Sequence, residues 1–300
     1  MTSLGAAIPL EICEQIFDVA ATCDRRTGFA LLRVSRDIHQ RVEPILYRTI
    51  VLSTRDAAVS FAECLSHRKD KEFVPHTLRE FVASDLDDRP GVDWASLAPA
   101  LKNVTTLMGG SSPSVLRYLL KHTPNLQRLT CWMQPQFIRA LRKDFLVSNL
   151  THLTLNPSID NPPGIVYDVV FLLRRLTHLA IQWIHQKGLE IVKLFVDRPH
   201  TLRVLLVLLY PRTVAPAAEY IKTIKEQNPR HVWALHESAQ WSMAADAATK
   251  YDGGHTVSSD ILSIDANDML YNAGKQYPNP AKDDMWDVVD RIVIERLRGH

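Results

Sequence analysis

The sequence predicts an α/β solenoid, a curved parallel sheet with helices on its outer side, preceded by a small helical module. Three observations carry that expectation. From Leu78 onward a short pattern keeps returning: an apolar residue, two variable positions, a second apolar residue, one variable position, then a small or apolar one. Segments with helical spacing alternate with it. Residues 1–47 lack the pattern and show helical stripes instead. The expected organisation is a helical module over 1–47, repeats over 48–240, and an irregular region with a closing helix over 241–300.

The first helix is read from "IPLEICEQIFDVA", where Pro9 suits a helix start and Ile12, Ile16 and Val19 share a face. A loop, "ATCDRRTG", follows. The stretch "FALLRVSRDIHQRVEPILYRTIVL" then places Leu31, Val34, Ile38, Val42 and Leu46 three or four positions apart, the stripe of a helix that ends in a strand. Such a stripe needs a cover, either the repeats or another protein.

The repeats read "LREFVA" at Leu78, "VTTLMG" at Val104, "LQRLTC" at Leu126, "LTHLTL" at Leu150, "LTHLAI" at Leu176, "LRVLLV" at Leu202 and a weaker "VWALHE" at Val232, with steps of 22 to 30 residues. Between them lie "SPSVLRYLLKHTP", "PPGIVYDVVFLLRR", "KGLEIVKLFVDRP" and "APAAEYIKTIKEQNP", three with Pro or Ser at the start and three closed by "HTP", "RP" or "NP". One strand and one helix per such period describe a leucine-rich solenoid, in which neither layer buries its apolar side alone. A doubly wound α/β domain is the competing reading, but such domains seldom repeat the residue pattern as well as the elements. Asn156 and Cys131 alone lie near the place of a turn-closing Asn or Cys. After about Leu235 the pattern fades towards a last irregular strand. "DMWDVVDRIVIERLRG" is expected to close the stack, capping its core with Trp286, Val289, Ile292 or Val293, and Leu297.

Composition narrows the function. A hydrophobic content of 46% over 300 residues supports a sizeable core. The formal charge of +2 provides no field for holding nucleic acid. The longest apolar run, "VLLVLLY", is far below the roughly 20 residues that cross a bilayer. "MTSLGAAIPLEICEQIF" has no basic run ahead of its apolar residues, so a cytoplasmic or nuclear protein is expected. Cys13, Cys23, Cys64 and Cys131 form no CxxC pair and read as buried thiols.

The succession of "IPLEICEQIF", a variable loop, "ALLRVSRDIHQRVEPILYRTIVL" and leucine-rich repeats resembles the F-box proteins of mushroom-forming fungi. The resemblance lies in Pro9, Leu10, Glu11, Ile12, Ile16 and Phe17, then Leu32, Val34, Ser35 and Arg36, with Pro44, Leu46 and Tyr47 leading into the first strand. Ile38 stands where the family usually has an aromatic residue. The resemblance implies that the module docks on a Skp-type adaptor through Pro9, Leu10, Ile12, Ile16, Val34 and Ile38, rimmed by Arg33, Arg36 and Arg41. It further implies that the repeats bind an unidentified protein target for a cullin ubiquitin ligase. Such a receptor performs no chemistry and raises the effective concentration of target at another subunit. The other readings are a structural cap on a repeat scaffold, or a subunit of a different complex.

Strand parity locates the target face. If Leu129 and Cys131 point to the core, Arg128, Thr130 and Trp132 point away from it. The same parity brings out Glu80, Val82 and Ser84, Thr106 and Met108, His152, Thr154 and Asn156, His178, Ala180 and Gln182, Val204, Leu206 and Leu208, and Ala234 and His236. Trp132 reads either as a binding anchor or as a residue covered by a local loop. Leu206 and Leu208 read either as an open apolar groove or as a strand covered when the C-terminal segment folds back. Arg128, Trp132, His152, Asn156, His178, Gln182, Leu206 and Leu208 are the candidate target contacts. His152 and His178 hold matching places in adjacent repeats and are expected to stack. A zinc site needs a third ligand, and His236 lies two repeats away. No cofactor or metal is expected.

No enzyme is expected either. "MGGSSPS" lacks the Lys and spacing of a phosphate-cradling loop, "YDGGHT" lacks its strand and helix context, and no GxSxG elbow occurs. Asp87 and Asp88, and Asp283 and Asp284, read as a surface loop and a helix start. His236, Glu237 and Ser242 show no third member placed to orient them.

Overall fold

The computed structural model describes residues 9–83, 92–109, 112–133, 148–157, 163–183, 190–191, 193–195, 202–209, 231–236, 261–264 and 285–298. Its strands are β1 (Thr49–Leu52), β2 (Glu80–Ala83), β3 (Thr106–Gly109), β4 (Arg128–Met133), β5 (His152–Pro157), β6 (His178–Trp183), β7 (Val204–Leu209), β8 (His231–His236) and β9 (Ile261–Ile264). They form one nine-stranded sheet whose order follows the chain, each strand parallel to the next. A doubly wound sheet reverses direction of growth at a switch point, and this one never does. The fold is therefore α/β with the one-way growth of stacked repeats. β1 adds a strand ahead of the first expected repeat, and β9 extends the sheet into the segment where an irregular strand was expected.

The register aligns the repeat pattern residue by residue: Phe81, Leu107, Leu129, Leu153, Leu179 and Leu205 are successive partners. All are buried, together with Leu78, Val104, Leu126, Leu150, Leu176 and Leu202 at the first position of each pattern. Helices cover this side: α4 (Arg55–His67) with Ala58, α7 (Pro113–His122) with Val115, Leu116, Leu119 and Leu120, and α8 (Pro163–Leu172) with Val166, Tyr167 and Val170. Ser112 caps α7 by accepting from the Val115 amide at 3.4 Å, with Pro113 at the first helical position. Two shorter helices, α5 (Phe73–Thr77) and α6 (Trp94–Leu97), lie between β1 and β3.

A side-chain ladder ties successive repeats at the N-terminal ends of the strands. Asn103 Nδ2 donates to the Pro75 carbonyl at 3.0 Å, Asn125 to that of Lys102 at 3.1 Å and Asn149 to that of Pro124 at 3.2 Å. Beside it, Thr105, Thr151 and Thr177 donate their hydroxyls to Arg79, Gln127 and Thr151 carbonyls. The amides thus stand just before Val104, Leu126 and Leu150, at the opposite end of the strand from Asn156.

The N-terminal module contains α1 (Leu10–Cys23), α2 (Arg25–Leu31) and α3 (Arg36–Arg48) around a separate small core of Ala21, Val42 and Leu46. The expected loop "ATCDRRTG" contracts to one residue, because Asp24 ends α1 and caps α2, accepting from the Arg26 and Thr27 amides at 3.1 and 3.0 Å. The single stripe read from Phe29 onward is likewise split. Ser35 accepts from the Ile38 amide at 3.2 Å and starts a new helix. α3 then runs through Pro44 to Arg48, held by burial of Leu46 beyond the proline. The last helix, α9 (Met285–Arg298), is expected from the sequence to close the stack, and the C-terminal segment also to fold back over the sheet. α9 lies on the second face of the sheet, against β7 and β8, rather than across the end of the stack.

Candidate functional site

Two surfaces gather the expected binding residues. The first is the outer side of the N-terminal module. Leu10, Ile12, Ile16 and Val34 are 69, 44, 52 and 61% exposed, and Val19 and Phe29 add to them at 61 and 51%. Ile12, Ile16 and Val19 follow one another at the spacing of one helix face, so α1 shows water a continuous apolar stripe while Ala21 turns inward. Pro9 stands exposed at the start of α1. Ile38 differs from this group. It is half-buried against the Ala21, Val42 and Leu46 core, because it lies one helical turn before Val42. Its role is to hold the module together, and it leaves the candidate docking face.

Charge fixes the helices to each other beneath that face. Arg41 donates to Asp18 through Nε and Nη2, both at 2.7 Å, and to Glu14 at 2.9 Å. The Asp18 carboxylate, above all, raises the Arg41 pKa. A residue expected on the polar rim is thus a clamp from α3 to α1. On the opposite side, Arg68 donates to Glu43 at 2.9 Å and lies over the Phe73 ring at 3.9 Å. Tyr47 meets Phe73 edge to face at 5.5 Å, and burial raises the pKa of its hydroxyl. These contacts join α3 to the start of the sheet.

The second surface is the sheet face opposite the outer helices. Strand parity holds throughout: Thr106, Arg128, His152, His178 and Val204 are successive partners, as are Met108, Thr130, Thr154, Ala180 and Leu206. Exposure divides the face in two. Thr49, Val51, Glu80, Thr106, Met108, Arg128, Thr130 and His152 are half-buried, with Val82 buried among them, whereas Thr154, Asn156, His178, Ala180, Val204 and Leu206 are buried. Leu206, at 0% exposed, is therefore no open groove in this chain. Of the two readings left by the sequence, the covered one holds, with α9 against β7. Trp132 is in register with Asn156, and Gln182 with Leu208; the side chains of Trp132, Gln182 and Leu208 lie outside the described residues, as do those of Ala234 and His236.

His152 and His178 stack as expected, with ring centroids 4.2 Å apart and planes 10° from parallel. The Trp286 ring meets both edge to face, at 5.2 and 5.5 Å. His178 Nε2 lies 2.8 Å from an Asp290 carboxylate oxygen, and its Nδ1 lies 2.7 Å from the Thr177 hydroxyl. Trp286, Val289 and Val293 are buried, while Asp287, Arg291 and Ile294 face out. The three inward residues were expected to meet an apolar core. Trp286 instead meets the two stacked imidazoles.

No protein-family model matches the chain, and no curated protein is significantly similar to it. Among the described residues no three His, Cys, Asp or Glu side chains are arranged to hold a metal ion, and no helix is long and apolar enough to cross a membrane. Of the four cysteines expected to be buried, Cys131 is, and burial pushes its thiol pKa far up, whereas Cys13 is half-buried and Cys23 and Cys64 are exposed. A polar trough of about 650 Å³ runs along the asparagine ladder between Arg79 and Arg175. Sequence reading passed over this ladder because it sought the amides after the strand. The signal was present as "KNV", "PNL" and "SNL", an Asn directly before the first apolar position.

Proposed function

We propose that the chain is a non-enzymatic substrate receptor of a Skp-cullin-F-box type ubiquitin ligase, an F-box-like module joined to a leucine-rich-repeat solenoid. The observation that carries this reading is the apolar stripe of Leu10, Ile12, Ile16 and Val34, left in water by a module that has its own core. A helix whose only task was to close the stack would turn such residues inward. An apolar centre with a polar surround is the usual anatomy of a protein interface. The sheet face then serves the target, and ubiquitin transfer takes place on partner subunits.

A second reading, a repeat scaffold capped by its N-terminal helices, is favoured by the Arg68 to Glu43 and Tyr47 to Phe73 contacts. Those contacts use α3, whereas the exposed stripe lies on α1 and at Val34 ahead of α3, so capping and docking are compatible. The test is a calorimetric titration of the intact chain with the Skp-type adaptor of its own organism, beside the double variant Ile12→Asp, Val34→Asp. Submicromolar binding, lost in the variant with an unchanged far-ultraviolet spectrum, is expected. Absence of binding by the folded parent chain would overturn the adaptor reading in favour of a cap or a subunit of a different complex.

A further inference from the structure

Two helices leave apolar side chains in water, and the charges around them are of opposite sign. The first is α1, with Ile12, Ile16 and Val19 on its outer side. It contains Glu11, Glu14 and Asp18 and no Lys or Arg, and Arg41, bound to the last two, offsets one charge. The second is α8, in the outer layer of the repeats. There α7 behaves as a covering helix should and turns Arg117 and Lys121 to water. By contrast α8 has Asp168 as its single charged residue and leaves Phe171 68% and Leu172 44% exposed. Arg174 and Arg175, both exposed, follow it at once.

Beside Phe171 the outer layer is open. A cleft of about 260 Å³ separates α8 from the next repeat, lined by Tyr167, Val170, Leu176, Phe195 and Leu202, with Arg174 as its one charged wall. That is less than the roughly 300–1,000 Å³ of a small-molecule pocket. It suits apolar side chains standing out from a protein surface beside an acid, and α1 carries both. The two faces cannot meet within one chain. α3 runs directly into β1 and its Arg41 clamps α1 at that end, whereas α8 lies between β5 and β6. From β1 to β6 is five strand spacings, roughly 24 Å at about 4.8 Å each.

We propose that copies of this chain associate head to tail, the α1 stripe of one on the α8 face of the next, with Ile16 at the centre of the contact and Glu11 paired with Arg174. Such a contact is heterologous, so every added copy leaves one α1 and one α8 face open at the ends. It uses the same stripe as the adaptor, so self-association and adaptor docking exclude each other. The proposal rests on the exposure and charge of α1 and α8, and on nothing about the adaptor.

The test is sedimentation velocity of the full-length chain, whose average sedimentation coefficient should rise between about 1 and about 100 μM. Ile16→Asp and Phe171→Asp each spoil one face at an exposed position. Alone, each variant should stay monomeric with the far-ultraviolet spectrum of the parent. Mixed in equal amounts they should form a dimer and nothing larger, because one chain keeps its α1 face and the other its α8 face. Arg174→Glu in the otherwise unaltered chain should weaken association about tenfold. A parent that stays monomeric over the range would overturn the proposal, as would undiminished association of Arg174→Glu. So would a mixture that gives no dimer, the result expected if α1 meets α1, if α8 meets α8, or if a different protein covers α8. With no adaptor present, failure here is separate from failure of adaptor docking.

Discussion

Asp24 shows how one side chain sets an element boundary. Its carboxylate accepts from the Thr27 hydroxyl and from the amides of Thr27 and Arg26, and these bonds, the hydroxyl foremost, lower its pKa. Because the folded value lies below the unfolded one, the cap's contribution is complete above the ordinary carboxylate range, and it disappears as pH falls through the folded value. Amide exchange at Arg26 and Thr27 should therefore speed up relative to the rest of α1 to α3 on going from about pH 7 to about pH 2. In Asp24→Ala that extra acid sensitivity should vanish. The same aspartate was legible as a cap in hindsight, since Asp-x-x-Thr begins a helix as readily as it occupies a loop.

At the scale of elements, the three N-terminal helices and the sheet have different cores. Val42 and Leu46 are buried against Ala21, with Phe17, Leu31 and Leu32 partly buried around them, a much smaller store of apolar contact than the side of the sheet covered by α4, α7 and α8. Leu46→Ala should cost about 2–5 kcal/mol, and the loss should fall on the module. In hydrogen exchange, protection should drop across α1 to α3 and stay unchanged in β3 to β6. A uniform drop through the sheet would mean that module and repeats unfold as one unit. Periodicity made these helices visible but could not assign their faces. Ile12 and Ile38 look alike in a stripe, yet the first is exposed and the second packs inward, because the sharp turn between α2 and α3 sets which residues meet. The strands were easier to read. Alternation of period two, repeated in successive units, leaves a single consistent parity, and that parity placed His152 on His178.

For the whole molecule, one-way stacking limits how far an effect can travel. Each strand bonds only its neighbours in chain order, so a change at one end reaches the other only through every intervening interface. From β1, beside the N-terminal module, to β5 is four strand spacings, roughly 19 Å at about 4.8 Å each. The sequence left the location of α9 open between two surfaces. An amphipathic helix announces that it will be covered but not by which surface, and both the end of the stack and Val204 with Leu206 offered apolar area. Its position on the sheet face separates the two candidate surfaces and makes their independence measurable. Trp286→Ala should leave the adaptor dissociation constant within about twofold, and Ile12→Asp with Val34→Asp should leave exchange in α9 unchanged. A tenfold change in adaptor affinity on loosening α9 would instead mean that the stack passes strain from the sheet face to the module. Target binding and adaptor docking would then be coupled, since any linkage between two binding equilibria acts equally in both directions.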